Sequence, residues 1–261
     1  MPRKSAAHTL GANAASSGAA KTAADASSWA ETWKLRMEGL MGLDLVPLGK
    51  AKPGHEAEWA NLMKVLYDGA HEGKRAAERR DEISIKAYEA VGAPRVGFDA
   101  EADAWAIARK DPARRVTDAQ LIEHMRGYFV VDLMRGKCDG VPQYTNGGLY
   151  DGIDETSFRG AFLESCEDLL GEGLLGDAWT EVMRPEEAVD YGKRLLAAAE
   201  AADAANPGRP KRSAPPPSED DEADSRDVAD MTLDEKIEIL RAAGRWYVFW
   251  GERGHPIAAW F

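Results

Sequence analysis

Thr232-Leu-Asp-Glu-Lys-Ile-Glu-Ile-Leu-Arg-Ala-Ala-Gly-Arg-Trp-Tyr-Val-Phe-Trp-Gly-Glu-Arg-Gly-His-Pro-Ile-Ala-Ala-Trp-Phe261 is the stretch on which the fold turns. Thr232 and Glu235 make a capping box, in which a hydroxyl and a carboxylate each take a backbone N–H that the first helical turn leaves open. The helix they open ends near Gly254. Its apolar load is heavy: Ile237, Leu240, Trp246, Tyr247, Phe249 and Trp250, followed by Ile257, Trp260 and Phe261. Thirty residues fall below the ~40 at which an unstapled unit stands alone. Burying even four such aromatics is worth ~1.5–3 kcal/mol each. The segment 231–261 is therefore expected to pack back onto a main domain. Trp246/Trp250 and Trp29/Trp33 are both i, i+4 pairs, which share a helix face, so the first pair is expected to pack on the second. An aromatic platform for a sugar or peptide is the rival reading of these pairs.

Upstream, the punctuation is helical. Pro185 fits a first helical turn, and Glu186 and Glu187 favour the positive end of the helix dipole; that helix is expected to run to about Ala202. Asp154 precedes a stripe of Phe158, Phe162, Cys166 and Leu169 at helical spacing. Thr117 and Gln120 form another capping box, ahead of Leu121, Ile122 and Met125. Asp99 caps a helix carrying Trp105 and Ile107. Ser84 caps a short one through Val91, stopped by Gly92 and Pro94. Trp59, Leu62, Met63 and Leu66 form one stripe after Gly54. Leu43–Leu48 has strand character, and Tyr128–Leu133 reads equally as a strand that pairs with it or as a continuation of the preceding helix. The fold class is mostly α (α+β at most): a compact helical domain with room for one small two-stranded element, pairing about 43–48 with 128–133. The domain order is a disordered tail (1–28), a main helical domain (29–203), a disordered Pro-rich and acidic linker (204–230) and the C-terminal helical segment.

The 261 residues carry 33 Lys+Arg against 45 Asp+Glu, a formal net charge of −12. Phosphate-backbone binding needs a basic face, and the densest basic stretch, Lys74–Arg80, is broken by Glu78 and followed by Asp81 and Glu82. Nucleic acid is therefore not expected as a partner. No apolar run reaches the ~20 residues of a membrane span, and Arg3 and Lys4 are not followed by the apolar core of a secretory signal. Cys138 and Cys166 suit reduced thiols in a cytoplasm. No repeat of 20–50 residues is visible.

The chemical motifs are sparse. Gly171-Glu-Gly173-Leu-Leu-Gly176 matches the dinucleotide fingerprint in letters, but a helix precedes it where a strand is needed; it reads as a turn. Gly49-Lys50 and Gly73-Lys74 lack the rest of a P-loop. His8, His55, His71, His124 and His255 are never three or four apart, and neither cysteine lies in a C-x-x-C, so no metal and no cofactor is expected. His55 beside Glu58 reads as a solvated pair. Cys166 lies on an apolar stripe and reads as core. No G-x-S-x-G elbow is present.

One long polar loop stands out, from Cys138 to Gly160, and loops of that length are functional or disordered. Its aromatics argue for order, either as a purely structural loop in which Asp154 or Thr156 caps the next helix or as a site, for which the candidate ligand- or partner-binding residues are Asp139, Tyr144, Asn146, Asp151, Asp154 and Arg159. The spacing does not fit a Ca²⁺ loop. Two readings follow. One is an acidic, cytoplasmic, non-catalytic interaction protein that binds a basic protein partner as adaptors or toxin-neutralising proteins do, since acidity steers cationic partners. The other is an enzyme or small-molecule binder on the 138–160 loop. There Asp139 or Asp154 would act as base, Arg159 as anion clamp, and Asn146 and Tyr144 as orienters. Convergence of Asp139, Asp154 and Arg159 with His55 or His124 separates the two.

Overall fold

Leu45 and Pro47 alternate with less buried neighbours along Asp44–Pro47 (β1), the pattern of a strand with one face in a core. The computed structural model describes residues 44–110, 115–142, 144, 156–210 and 231–260. The expected tail 1–28, Trp29 and Trp33, and most of the expected linker (211–230) lie outside the described residues. After β1 come β2 (Lys50–Ala51), α1 (Glu56–Tyr67), α2 (Lys74–Glu82), β3 (Ser84–Ile85), α3 (Ala87–Ala90), α4 (Ala100–Ala108) and α5 (Asp118–His124). A 3₁₀ turn, Val131–Met134, leads to β4 (Phe158–Arg159), α6 (Ala161–Glu164), α7 (Glu167–Asp177), β5 (Val182–Met183), α8 (Pro185–Ala205), α9 (Leu233–Glu252) and β6 (Ile257–Trp260). The described chain is mostly α, with a four-stranded antiparallel sheet in the order β4-β1-β6-β5 and a two-stranded β2-β3 ribbon.

The sheet corrects one expectation. Residues 43–48 do contain a strand, but 128–133 is not its partner: Leu45 lies opposite Phe158 on one side and Ala259 on the other. The 127–130 backbone is engaged locally, with Gly127 N–H on Val96 O (2.8 Å) and Val130 N–H on Pro94 O (2.7 Å). Past that point the chain tightens into the 3₁₀ turn. A second expectation fails at Phe158, which lies in β4; the helix begins only at Ala161, beyond Gly160. Ser84 likewise lies in β3, where its hydroxyl donates to Arg80 O (2.6 Å) and accepts from Trp59 Nε1 (3.1 Å). Helix α3 starts instead from Lys86.

The long helices α8 and α9 pack along each other; α9 buries Trp246, Tyr247 and Trp250, and α8 buries Tyr191. Trp246 meets Phe158 across 5.9 Å and Tyr247 across 5.0 Å between ring centroids. An indole N–H in a core needs an acceptor. Here Trp246 donates to Thr156 O (2.9 Å) and Trp250 to Gly140 O (3.2 Å). Through these two bonds α9 holds both described ends of the 138–160 segment.

Candidate functional site

The 138–160 residues divide on folding. Asp139 is exposed and pairs with Arg245 Nε of α9 at 3.2 Å. Tyr144 is buried, its ring 5.0 Å from Phe162 and 5.8 Å from Phe158. Arg159 lies in β4 opposite Asp44. Asn146, Asp151 and Asp154 are outside the described residues. Of the described residues that could build the catalytic constellation, Asp139 lines a cavity that Arg159, His55 and His124 do not line.

That cavity, about 600 Å³, lies between the 135–142 backbone and α9. Arg135, Lys137 and Arg245 bring three cations to it, and among the described residues Asp139 is the one acid on its wall; Val141, Pro142 and Ala242 make the apolar part. Two glycines shape it. Gly136 takes φ +71°, a left-handed turn that costs other residues energy. Gly140 lies under the Phe249 ring so closely that a Cβ would stand 2.3 Å from Cε1. Arg135 is oriented by Asp132 (3.1 Å), which also accepts from Trp105 Nε1 (2.6 Å) and Arg109 Nη2 (2.9 Å).

The chain matches no protein-family profile, no curated protein and no solved structure. The functional reading therefore rests on chemistry alone.

The other sequence candidates have structural roles. Cys166 is buried, its thiol donates to Phe162 O (3.4 Å), and burial pushes its pKa up to about 12, which removes the thiolate a nucleophile needs. The Gly171–Gly176 motif is a kink in α7, with Gly171 at φ +67°. His55 lies 3.6 Å from Glu58, whose carboxylate is held by Arg79 at 2.7 and 2.9 Å and is kept below the usual range by that bonding. Among the described residues no group of three His, Cys, Asp or Glu is placed to hold a metal. Nor is any helix among them long and apolar enough to cross a membrane.

Two further surfaces carry no sequence motif. One is a second cavity of about 420 Å³ beside Arg95, Arg126, Tyr128 and Phe129. Next to it Phe98, 62% exposed, has the Arg95 and Arg126 guanidiniums 4.6 and 5.8 Å from its ring centre. The other is a local excess of acid. Between 161 and 190, nine carboxylate side chains face one basic residue, Arg184. Seven of the nine are exposed. Asp168 pairs with Lys236, and Asp177 and Asp190 share Arg194; Glu167, Glu172, Glu181 and Glu186 make no ion pair among the described residues. A running count of charge along the chain would have located this stretch.

Proposed function

We propose that the protein is a non-catalytic interaction protein of the adaptor or toxin-neutralising kind, acting in a cytoplasm and binding a basic protein partner. The observation that carries this reading is the acidic stretch over α7, the approach to β5 and the start of α8. The excess there is local, and local excess steers association more strongly than net charge spread over a surface. Cys138 and Cys166, both free thiols, suit a reducing compartment.

The test is capture from the native host, run in parallel with the wild-type chain and with Glu167→Lys/Glu172→Lys/Glu186→Lys. The three side chains are exposed, so the fold should tolerate the change. The expected result is a stoichiometric basic partner, released by salt and lost from the triple variant. Equal capture by both chains, or no partner at all, overturns the reading.

A further inference from the structure

We infer that the cavity between residues 135–142 and α9 binds the phosphoryl group of a small molecule. This goes beyond the acidic stretch, because it concerns a site of opposite sign elsewhere on the molecule. About 600 Å³ lies within the ~300–1,000 Å³ range of small-molecule sites. The chain as a whole is −12, yet among the described residues the wall of this cavity carries three cations against one acid. Asp139 engages only Nε of Arg245, and Arg135 leans on Asp132. Among the described residues, the terminal nitrogens of Arg245 and the Lys137 ammonium have no ion-pair partner.

The donor set selects the ligand class. A guanidinium presents a planar fork that matches two phosphoryl oxygens, and an ammonium adds a compact point charge. With Arg135 taken up by Asp132 and Nε of Arg245 by Asp139, the Lys137 ammonium and the terminal nitrogens of Arg245 are the donors left to a ligand, and their number suits the three oxygens of a phosphoryl group better than the two of a carboxylate. Val141, Pro142 and Ala242 offer apolar surface to an organic remainder. The wall is also built in advance. Phe249 packs on Gly140, Trp250 holds the Gly140 carbonyl at 3.2 Å, and Asp132 orients Arg135 at 3.1 Å. Preorganisation of this kind cuts the ordering cost of binding.

Cys138 on the rim gives a readout besides calorimetry. It is half-buried while Cys166 is buried, so a neutral maleimide should label Cys138 selectively in the folded protein. The full chain is titrated with pyrophosphate and, separately, with adenosine monophosphate at low salt, and maleimide labelling of Cys138 is timed with and without each probe. Binding of at least one probe is expected, with labelling slowed several-fold. Lys137→Ala and Arg245→Ala should each weaken affinity by about tenfold with the melting temperature unchanged. Tighter binding of the monophosphate assigns the site to an organic phosphate, and tighter binding of pyrophosphate to an inorganic one. Absence of binding by both probes, unprotected Cys138, or affinity unaltered in Lys137→Ala overturns the inference; that last variant removes an exposed side chain and cannot fail for want of folding.

Discussion

Gly192 and Gly244 face each other where α8 meets α9, each lying where the other's carbonyl oxygen leaves no room for a side chain. A Cβ at Gly192 would stand 2.7 Å from Gly244 O, and one at Gly244 would stand 2.8 Å from Gly192 O. Backbone cannot swing aside as a side-chain end does, so the helices would have to part. Gly192→Ala and Gly244→Ala are each expected to lower stability by about 1–3 kcal/mol in urea unfolding, despite the ~1 kcal/mol that Ala gains in a helix. The double variant should cost less than the two singles together, because one separation relieves both. Gly173→Ala is the control, since nothing lies within 4 Å of its Cβ position; it should hold or raise stability. Equal effects at Gly173 and Gly192 would refute the close-packing argument.

His255 is the second lever on stability. Its Nδ1 lies 2.8 Å from Leu48 O, and because a carbonyl only accepts, Nδ1 carries the hydrogen. Nε2 is buried without a partner among the described residues, and the ring meets Trp250 edge-on at 5.0 Å. Burial lowers the pKa to about 4, and the charges of Lys50 and Arg253 push the same way against the Leu48 bond. Well above pH 6.5 the ring is neutral folded or unfolded and titrates nothing. As pH falls from 6.5 towards 4 the unfolded chain takes up a proton that the folded one refuses. Stability is therefore lost in that window, by up to about 3 kcal/mol at its lower end. Urea midpoints compared at pH 6.5 and 5.5, above most carboxylate titration, should fall for the wild type. His255→Asn, less stable throughout, should show little slope. An unchanged slope in the variant would place the proton elsewhere.

What the sequence made legible was local. Both capping boxes form, with Thr117 accepting from Gln120 N–H and Thr232 from Glu235 N–H at 3.3 Å, because all the atoms needed lie within four residues. The Trp59/Met63 stripe is buried for the same reason. The partner of β1 was illegible, since Pro47 meets Ile257 across more than two hundred residues and composition carries no register. Phe158, Phe162 and Cys166 have helical spacing, but Gly160 starts the helix late, and Phe158 reaches the core from a strand instead. At the candidate site Asp139 was readable as a polar loop residue. Arg245, its partner from α9, was not, and Tyr144, read as a hydrogen-bonding orienter, spends its ring on Phe158 and Phe162. The glycine-rich motif drew attention to Gly171–Gly176, whereas the close helix contact rests on isolated Gly192 and Gly244.

Arg209 lies inside the stretch expected to be a linker, yet its side chain is only 4% exposed. Its Nε donates to Asp234 at 2.8 Å, and a terminal nitrogen pairs with Asp203, which also meets Arg241. The guanidinium thus ties the end of α8 to the first turn of α9, and the Asp234 side chain it meets is itself 9% exposed. Removing the guanidinium takes a charge-assisted bond from two carboxylates at once. Arg209→Ala is therefore expected to lower the melting temperature by several degrees. Arg209→Lys should recover only part, because an ammonium cannot reach two carboxylates as a fork does. Adding Asp234→Asn to Arg209→Ala should restore some of the loss, because the carboxylate that the guanidinium balanced is then gone too. If Arg209→Ala melts with the wild type, the pair is a contact of no consequence, and α8 and α9 are held by their apolar faces and by the Arg241 pairs with Glu200 and Asp203.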